Sequence, residues 1–242
     1  MNRRDFIIKS GLSSSIFSIV PSSVLGINGV SPNNKIQIGF IGAGRQGRGL
    51  MKNFTEYNEC QIIAVSDVDS QKVDFFSEEF ENKILKDNEK KVYIKKFEFY
   101  REMLQNTSID AVVIATPDHW HAQMSVDSAK HGKDIYCEKP LSSTISEGRA
   151  MVNSARKYKV VYQTGSMQRS WKHFRHAVEL IQNGYIGEIK EVNVAIGDPH
   201  KQCDLPSLKA PDHLNWNEWF GPVPYRGYLP DLACLLEDKR WG

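Results

Sequence analysis

Short runs of apolar residues divide the chain between positions 36 and 164. Between the runs, apolar residues recur every three or four positions, which is the spacing of amphipathic helices. Continuous apolar runs are typical of parallel strands that are covered on both faces. The pattern therefore predicts an α/β fold with a doubly wound parallel sheet, whose strands cover residues 36–41, 62–65, 110–115, 134–137 and 160–164.

Helices are predicted between these strands. A charged stretch over 69–85 has helical spacing, and the lysine-rich segment from there to Lys96 is predicted to be a solvated loop. Asp118 is predicted to cap a helix that ends near His131, before Gly132. A helix with a capping box is also predicted over 144–158, and its buried side is predicted to hold Ile145, Met151, Val152 and Ala155.

The period of the pattern changes after residue 165. A helix is predicted over 171–182, and then Val192, Val194 and Ile196 alternate with less apolar residues. Such alternation indicates a half-buried antiparallel strand, which we place over 188–196. We therefore expect a second domain, of α+β type, to begin at residue 166.

Gly42, Gly44 and Gly47 follow the first predicted strand with the spacing G-x-G-x-x-G. Without a Cβ atom, Gly42 can turn the chain sharply, Gly44 lets the backbone approach a pyrophosphate, and Gly47 lets the next helix pack closely. The free N–H groups at the start of that helix face phosphate anions. Because strand, glycines and helix come in the required order, dinucleotide binding is favoured over a turn that serves packing alone. The predicted phosphate loop also includes Ala43, Arg45 and Gln46.

The second apolar run ends at Asp67, which lies 20 residues beyond Gly47. A carboxylate at this distance accepts hydrogen bonds from the ribose hydroxyls of NAD and repels the 2′-phosphate of NADP. NAD is therefore the predicted cofactor. Arg45 and Arg48 lie close enough in sequence to offset the repulsion, so NADP stays an alternative.

Two later strands end in residues with candidate chemistry. One is followed by the segment TPDHWH, in which His119 and His121 are candidates for contact with nicotinamide and substrate, or else are surface or capping histidines. The other runs into Glu138, Lys139 and Pro140. A lysine beside a cofactor can donate a hydrogen bond to a substrate hydroxyl or move its proton. Lys139 is therefore the candidate catalytic residue, with Glu138 as the group that positions it, although such a triplet alone is more often a surface turn.

The N-terminus carries paired arginines, Arg3 and Arg4, ahead of a mildly apolar, serine-rich segment over 11–25. This resembles a twin-arginine export signal, and the alternative is an ordinary basic tail. Pro21 and the serines make the segment a poor membrane span. We therefore expect residues 1–34 to be a signal peptide and linker, and the protein to fold in the cytoplasm before export to the periplasm.

Charge and cysteine content limit the kinds of ligand and partner that the sequence predicts. The 31 basic and 29 acidic residues give a net charge of +2 and are spread along the chain, so no nucleic-acid partner is predicted. The four cysteines show no ligand spacing, and neither a metal site nor a disulfide framework is predicted. Two of them, Cys60 and Cys137, are predicted to be core residues.

With these residues placed, the chain resembles the Gfo/Idh/MocA oxidoreductases, the family of glucose-fructose oxidoreductase and inositol dehydrogenase. The likeness extends from about residue 35 to 228 and rests on the segments GFIGAGRQG, SDVD, DAVVIATPDHWHA, GKDIYCEKPLSSTISEGR, VVYQTGSMQRS and WNEWFGPVPYRGY. It implies a Rossmann domain over 35–165, then a domain whose antiparallel sheet faces the nicotinamide. A sugar, polyol or sugar derivative is the implied substrate, and homo-oligomers are expected of full-length relatives.

The resemblance also assigns roles to single residues. It implies that Lys139 is catalytic and that the phosphate loop and Asp67 hold the dinucleotide. Further cofactor contacts are expected from Thr116, Pro117, His119, His121 and Glu138, and substrate contacts from Lys139, Gln168 and His121. Of the aromatic residues near the C-terminus, packing in a core is favoured over stacking on a sugar for Trp216, Trp219 and Phe220.

The chain departs from the family pattern at its C-terminus. Family members continue with most of the antiparallel sheet and an acid/base histidine, so we expect 166–242 to be the truncated start of the second domain. Three functions stay open: a sugar or polyol dehydrogenase or reductase, an NAD-dependent glycosidase, and a nucleotide-binding remnant without turnover. By the family likeness the glycosidases lack the lysine of the E-K-P motif, so Lys139 favours oxidoreduction.

Overall fold

A computed structural model of the chain describes residues 34–87, 93–197 and 206–230. The strands are β1 (Ile36–Ile41), β2 (Cys60–Ser66), β3 (Lys95–Phe97), β4 (Ala111–Ile114), β5 (Asp134–Glu138) and β6 (Tyr162–Gly165). The helices are α1 (Arg45–Phe54), α2 (Ser70–Asp87), α3 (Tyr100–Leu104), α4 (Asp118–Lys130), α5 (Ile145–Tyr158), α6 (Lys172–Gln182) and α7 (Trp216–Phe220). A 3₁₀ turn covers Met167–Ser170.

The strands form one parallel sheet in the order β3-β2-β1-β4-β5-β6. Helices cover both faces, and neighbouring residues of β1 show this directly, because successive side chains of a strand point to opposite faces. Phe40 packs with Phe76 of α2, at 5.3 Å between ring centroids. Ile41 belongs to the other cluster, with Trp120 and Met124 of α4. The predicted doubly wound α/β fold is confirmed.

Helix α5 agrees with its predicted boundaries but not with its predicted buried side. The hydroxyl of Thr144 accepts the N–H of Glu147 at 3.2 Å, which closes the predicted capping box. Met151 is buried, whereas Ile145 is 93% exposed and Val152 is 38% exposed. The helix packs mainly against α4, so only a narrow row of its side chains is covered.

Two predicted local structures need correction. The lysine-rich segment before residue 97 is not entirely a loop, because β3 pairs there with Ala64–Ser66 of β2. Lys95 and Lys96 are exposed, as is usual for lysines on an edge strand, and they hide the apolar pattern of a strand. Helix α4 has Pro117 at its N-cap, so Asp118 is its first residue rather than its cap.

Residues 172–197 follow the prediction only in part. Helix α6 has the expected boundaries, but no strand forms over 188–196. The side chains of Val192, Val194 and Ile196 are 73%, 80% and 91% exposed. A strand needs a hydrogen-bonding neighbour, and none of the described residues pairs with this segment. The predicted domain division after residue 165 stays a prediction.

Residues 206–230 pack against the carboxyl edge of the sheet. Their centre is a cluster of four buried side chains, Leu214, Trp216, Phe220 and Tyr228. Trp216 and Trp219 stack at 4.6 Å between ring centroids. The aromatic residues of this segment thus pack together.

The predicted export signal over 1–34 lies almost wholly outside the described residues. Within the described ranges, no helix has the length and hydrophobicity of a membrane span.

Candidate functional site

The order of the strands reverses between β1 and β4, which are neighbours in the sheet. A crevice opens where the connections from such neighbours leave to opposite faces, and dinucleotides bind there. The loop over 42–47 follows β1, and the segment 116–121 follows β4. The fold therefore brings the phosphate loop and the first histidine-containing segment to one edge.

The glycines of the phosphate loop meet different constraints. Gly42 has a φ of +100°, and a Cβ there would lie 2.5 Å from the carbonyl oxygen of Ala115. A Cβ on Gly47 would collide with the carbonyl oxygen of Gly42, so only glycine lets α1 approach the turn. At Gly44 the φ of −67° suits any residue, and no described atom lies within 4 Å of its Cβ position. The N-terminus of α1 thus borders open space that fits a phosphate.

Asp67 lies directly after β2 and is tied to the phosphate loop. Its Oδ2 accepts the N–H of Ala43 at 2.7 Å, and its Oδ1 accepts the N–H of Asp69 at 3.0 Å. Burial raises the pKa of Asp67, although the charge of Lys72 and the two N–H donors oppose this shift. Each carboxylate oxygen keeps acceptor capacity for a ribose hydroxyl. The carboxylate is therefore held in place and can still accept hydrogen bonds from a ligand.

Arg48 is engaged by the neighbouring helix. Its Nε lies 3.1 Å from a carboxylate oxygen of Glu79, and its guanidinium lies 4.7 Å from the ring centroid of Phe75. The side chain is 16% exposed and also donates to the carbonyl oxygen of Ala43 at 3.4 Å. Glu79 also pairs with Lys52, at 3.0 Å, so it neutralises Arg48 only in part. The pairing still weakens the offset that Arg48 can give to the repulsion between Asp67 and a 2′-phosphate, which favours NAD.

His121 joins two loops of the site. Its Nε2 lies 2.9 Å from the carbonyl oxygen of Thr116, and its Nδ1 lies 2.6 Å from that of Pro140. The ring is 1% exposed. Burial lowers the pKa of His121, but contact with the Cys137 thiol and the two carbonyl groups outweigh it and raise the pKa to about 9. Both ring nitrogens face protein atoms, and contact with cofactor or substrate stays a prediction.

His119 also bonds to the protein. Its Nε2 lies 2.9 Å from the carbonyl oxygen of Trp219, which also accepts the indole N–H of Trp120 at 2.9 Å. The rings of His119 and Trp219 meet edge to face at 5.4 Å. The start of α4 is thus fastened to the C-terminal segment.

Glu138 links α1 to the end of β5. Its Oε1 accepts the amide of Gln46 at 2.9 Å and the hydroxyl of Tyr136 at 3.5 Å, and its Oε2 accepts the backbone N–H of Lys139 at 3.3 Å. The residue is 4% exposed, and a Cβ on Gly165 would lie 2.7 Å from Oε1. Glu138 therefore positions the backbone of Lys139, and it does so from a buried place between the phosphate loop and β6.

Other predicted residues have fewer contacts. Lys139, Pro117 and Gln168 are exposed, and the Lys139–Pro140 peptide bond is cis. The ammonium group of Lys139 bonds to none of the described residues. Thr116 donates from its hydroxyl to the sulfur of Met124 at 3.4 Å. The ligand contacts of these residues stay predictions.

Three groups at the site escaped the sequence analysis: Glu79, Gly165 and the carbonyl of Trp219. Each acts on a residue far away along the chain, so no local pattern marks it. Gly165 carried the one usable signal, because a glycine in a strand indicates that another group approaches closely.

The crevice, the open helix N-terminus and the anchored acid define a Rossmann dinucleotide-binding protein. Residues 36–166 match the model of the Gfo/Idh/MocA oxidoreductase family, described as having an NAD-binding Rossmann fold. The match covers more than half of the 242 residues, and the chain belongs to this family.

Several relatives are enzymes of polyol or sugar chemistry. Myo-inositol 2-dehydrogenase of Thermotoga maritima is 27% identical over 164 residues, which are 68% of this chain and 46% of that protein. A glycosyl hydrolase family 109 protein of Shewanella woodyi is 33% identical over 138 residues, or 55% and 28% of the two chains. The crystal structure of scyllo-inositol dehydrogenase from Lactobacillus casei with NAD(H) and scyllo-inositol is similar, with a TM-score of 0.55 and 26% sequence identity. The similarity covers 64% of this chain and 43% of that protein. The matched part of the chain spans 28–46% of the length of these curated relatives.

Proposed function

We propose that this protein is an NAD(H)-dependent oxidoreductase that acts on a sugar, polyol or sugar derivative. The proposal rests on the open space at Gly44, beside the anchored carboxylate of Asp67. The exposed side chain of Lys139 follows β5 at the same edge of the sheet. The substrate class is supported by the similarity to two inositol dehydrogenases.

The residues present have clear roles in such a reaction. The nicotinamide, when bound, supplies the chemistry of hydride transfer. The N–H groups of α1 bind the phosphates, and Asp67 binds ribose hydroxyls. Lys139 donates a hydrogen bond to the reacting oxygen of the substrate and exchanges a proton with it. Gln46 and Glu138 hold the turn that carries Lys139 against the phosphate loop.

Cofactor binding is tested with Gly44→Val. The backbone at Gly44 suits valine, so the variant folds, but its side chain occupies the space of the pyrophosphate. Fluorescence titration should show NADH affinity weakened by about tenfold or more, a loss of ~1.4 kcal/mol. Gly49→Val is the matched control, because Gly49 is exposed in the helix that Gly44 precedes and has open space around its Cβ position. Equal affinity in both variants would exclude the proposed site.

Substrate chemistry is tested under single-turnover conditions, with enzyme in excess over NAD and with inositols, sugars and other polyols in turn. NADH formation should be seen with at least one of them, even if it is slow, and Lys139→Met should abolish it while NADH affinity is kept. Absence of NADH formation with every compound would contradict the proposed reaction.

The glycosidase is the second candidate, because a family 109 protein is among the relatives. Release of nitrophenol from nitrophenyl glycosides, with no net change in NADH, would support this candidate instead.

We further propose that the protein is exported through its twin-arginine segment and that copies of it associate.

A further inference from the structure

Residues 206–230, which we call the strap, are bonded to the loop that follows Asp67. The carbonyl oxygen of His213 accepts the N–H of Ser70 at 2.9 Å, and the N–H of Asn215 donates to the carbonyl oxygen of Val68 at 2.9 Å. These bonds enclose an antiparallel bridge between Asp69 and Leu214. The strap therefore pairs with the backbone directly after Asp67, the predicted ribose-binding acid.

A second part of the strap, around Trp219, is bonded to the start of α4. The carbonyl oxygen of Trp219 accepts from His119 and Trp120, which directly follow the loop after β4. A Cβ on Gly221 would collide with the indole of Trp120, so the strap lies directly against that ring. The strap thus connects the loop after β2 to the start of the helix that follows β4.

The strap has a packed structure of its own. Leu208 donates its N–H to the carbonyl oxygen of Tyr228 at 2.9 Å, which closes the segment into a loop. The indole of Trp216 donates to the carbonyl oxygen of Arg226 at 2.8 Å inside that loop. A segment with a core and internal hydrogen bonds can hold its outer face in a fixed place.

A cavity of about 590 Å³ lies between the strap and the sheet edge. Its wall combines apolar and polar groups from both sides: Asp67, Val68, Phe97, Glu98, Leu214 and Asn215. The amide of Asn215 donates to a carboxylate oxygen of Glu98 at 2.7 Å across it. Charged side chains, among them Asp74, Lys96 and Asp212, complete the wall. The volume is that of a small-molecule site.

We propose that the strap forms one wall of the adenosine half of the dinucleotide site and strengthens the binding of that half. This inference rests on the proposed function, since it presupposes NAD(H) as ligand. Asp67 marks the ribose of adenosine, and it lines the cavity. Phe97 and Leu214 offer apolar surface to the adenine ring, and Glu98 and Asn215 offer hydrogen-bonding groups to its polar edge.

Two variants loosen the strap without removing its core. Asn215→Ser keeps an oxygen that caps α7 through the N–H of Glu218, but it removes the bond to Glu98. His119→Phe keeps a ring against Trp219 and removes the bond to its carbonyl oxygen. The affinities of ADP-ribose and of reduced nicotinamide mononucleotide are measured separately, with thermal unfolding to verify the fold.

Both variants should bind ADP-ribose about three- to tenfold more weakly than the wild type, as expected for the loss of one hydrogen bond. The affinity of Asn215→Ser for reduced nicotinamide mononucleotide should stay the same. The controls are Asn183→Ser and His131→Phe, the same changes at the ends of α6 and α4. Amide hydrogen exchange over 206–230 should slow with ADP-ribose and not with the mononucleotide.

Unchanged ADP-ribose affinity in both variants, with normal NADH binding by the wild type, would overturn the role of the strap and leave the proposed function standing. A wild type that binds no NADH would overturn both.

Discussion

The imidazole of His121 contacts the thiol of Cys137 and lies between two backbone carbonyl groups, and these neighbours favour its protonated state. A neutral imidazole has one N–H and can donate to only one of the oxygens of Thr116 and Pro140. The other oxygen would then face a nitrogen lone pair inside the protein. The imidazolium donates to both, which agrees with a pKa raised to about 9.

The first prediction is that His121 makes stability fall at alkaline pH. Its pKa in the fold, about 9, is above the ordinary 6.5 of an unfolded chain, so protonation favours the fold. The contribution is complete below about pH 6.5 and is lost as the pH rises through about 9. Its upper limit is ~3 kcal/mol of unfolding free energy. Urea unfolding between pH 6 and 10 measures it.

His121→Asn is the comparison for this experiment and should show a shallower loss of stability between pH 7 and 10. Cys137 faces the ring from β5 and contributes to the raised pKa of His121, so Cys137→Ala separates its contribution. Identical pH profiles for the wild type and His121→Asn would contradict the prediction.

The second prediction concerns the choice between NAD and NADP at Asp67. Asp67→Ala removes the carboxylate that repels a 2′-phosphate and leaves Arg48 bonded to Glu79. Affinity for NADH should fall and affinity for NADPH should rise toward it, as fluorescence titration with both nucleotides will show. Glu79→Gln in the same background should raise NADPH affinity further, because it leaves the charge of Arg48 unpaired. An unchanged ratio of the two affinities would rule out this role of Asp67.

At the scale of elements, the sequence predicts those features that depend on residues close together in the chain. The apolar runs, the glycine loop and the capping box at Thr144 depend on neighbours within a few residues, and the structure has all of them. Strand β3 was missed because its lysines face solvent at the sheet edge. The strand over 188–196 was predicted wrongly because alternation supplies a face but cannot supply a partner strand.

For the candidate site too, the sequence predicts the local motifs but not the long-range contacts between them. The positions of Gly42 and Asp67 followed from motif spacing, and the structure bonds Asp67 to the loop that Gly42 begins. The bond between Gln46 and Glu138 spans 92 positions, and the bond between His119 and Trp219 spans 100. No spacing rule reaches across such intervals, so these links emerge only from the fold.

The third prediction concerns the apolar residues after α6. Val194 and Ile196 are exposed, and such surfaces favour association. Val194→Lys with Ile196→Lys should reduce self-association, seen by light scattering and gel filtration, with unchanged thermal stability. Asn193→Lys adds a charge to the same segment without removing apolar surface and is the control. Association that persists in the double variant would show that another surface is responsible.

At the scale of the whole molecule, export is the fourth prediction. The twin-arginine route transports proteins that are already folded. It therefore suits a chain that must fold around a nucleotide before it leaves the cytoplasm. Arg3→Lys with Arg4→Lys should keep the protein in the cytoplasmic fraction, whereas the wild type should reach the periplasm. The exported protein should retain its nucleotide tightly and regenerate it on a second substrate. A wild type found only in the cytoplasm would remove both expectations.

The last prediction is that the 242-residue chain binds nucleotide but turns over slowly or not at all in the steady state. Hydride transfer needs the substrate carbon held about 3–3.5 Å from the nicotinamide, and such positioning supplies about 7–11 kcal/mol of the barrier. In the described part of the chain, the segment 172–197 is exposed almost throughout and forms no sheet that could hold a substrate. Lys139 is exposed as well, so water weakens its electrostatic effect.

Steady-state assays of NAD reduction over inositols, sugars and other polyols measure this directly. We expect kcat far below the range of about 1–10³ s⁻¹ that is usual for enzymes, together with normal NADH binding by the wild type. The slow single-turnover signal, if it depends on Lys139, would show that the chemical groups are present and that substrate positioning is what limits the rate. A kcat within the usual range would mean that the residues of this chain already hold the substrate, and the argument from positioning would be wrong.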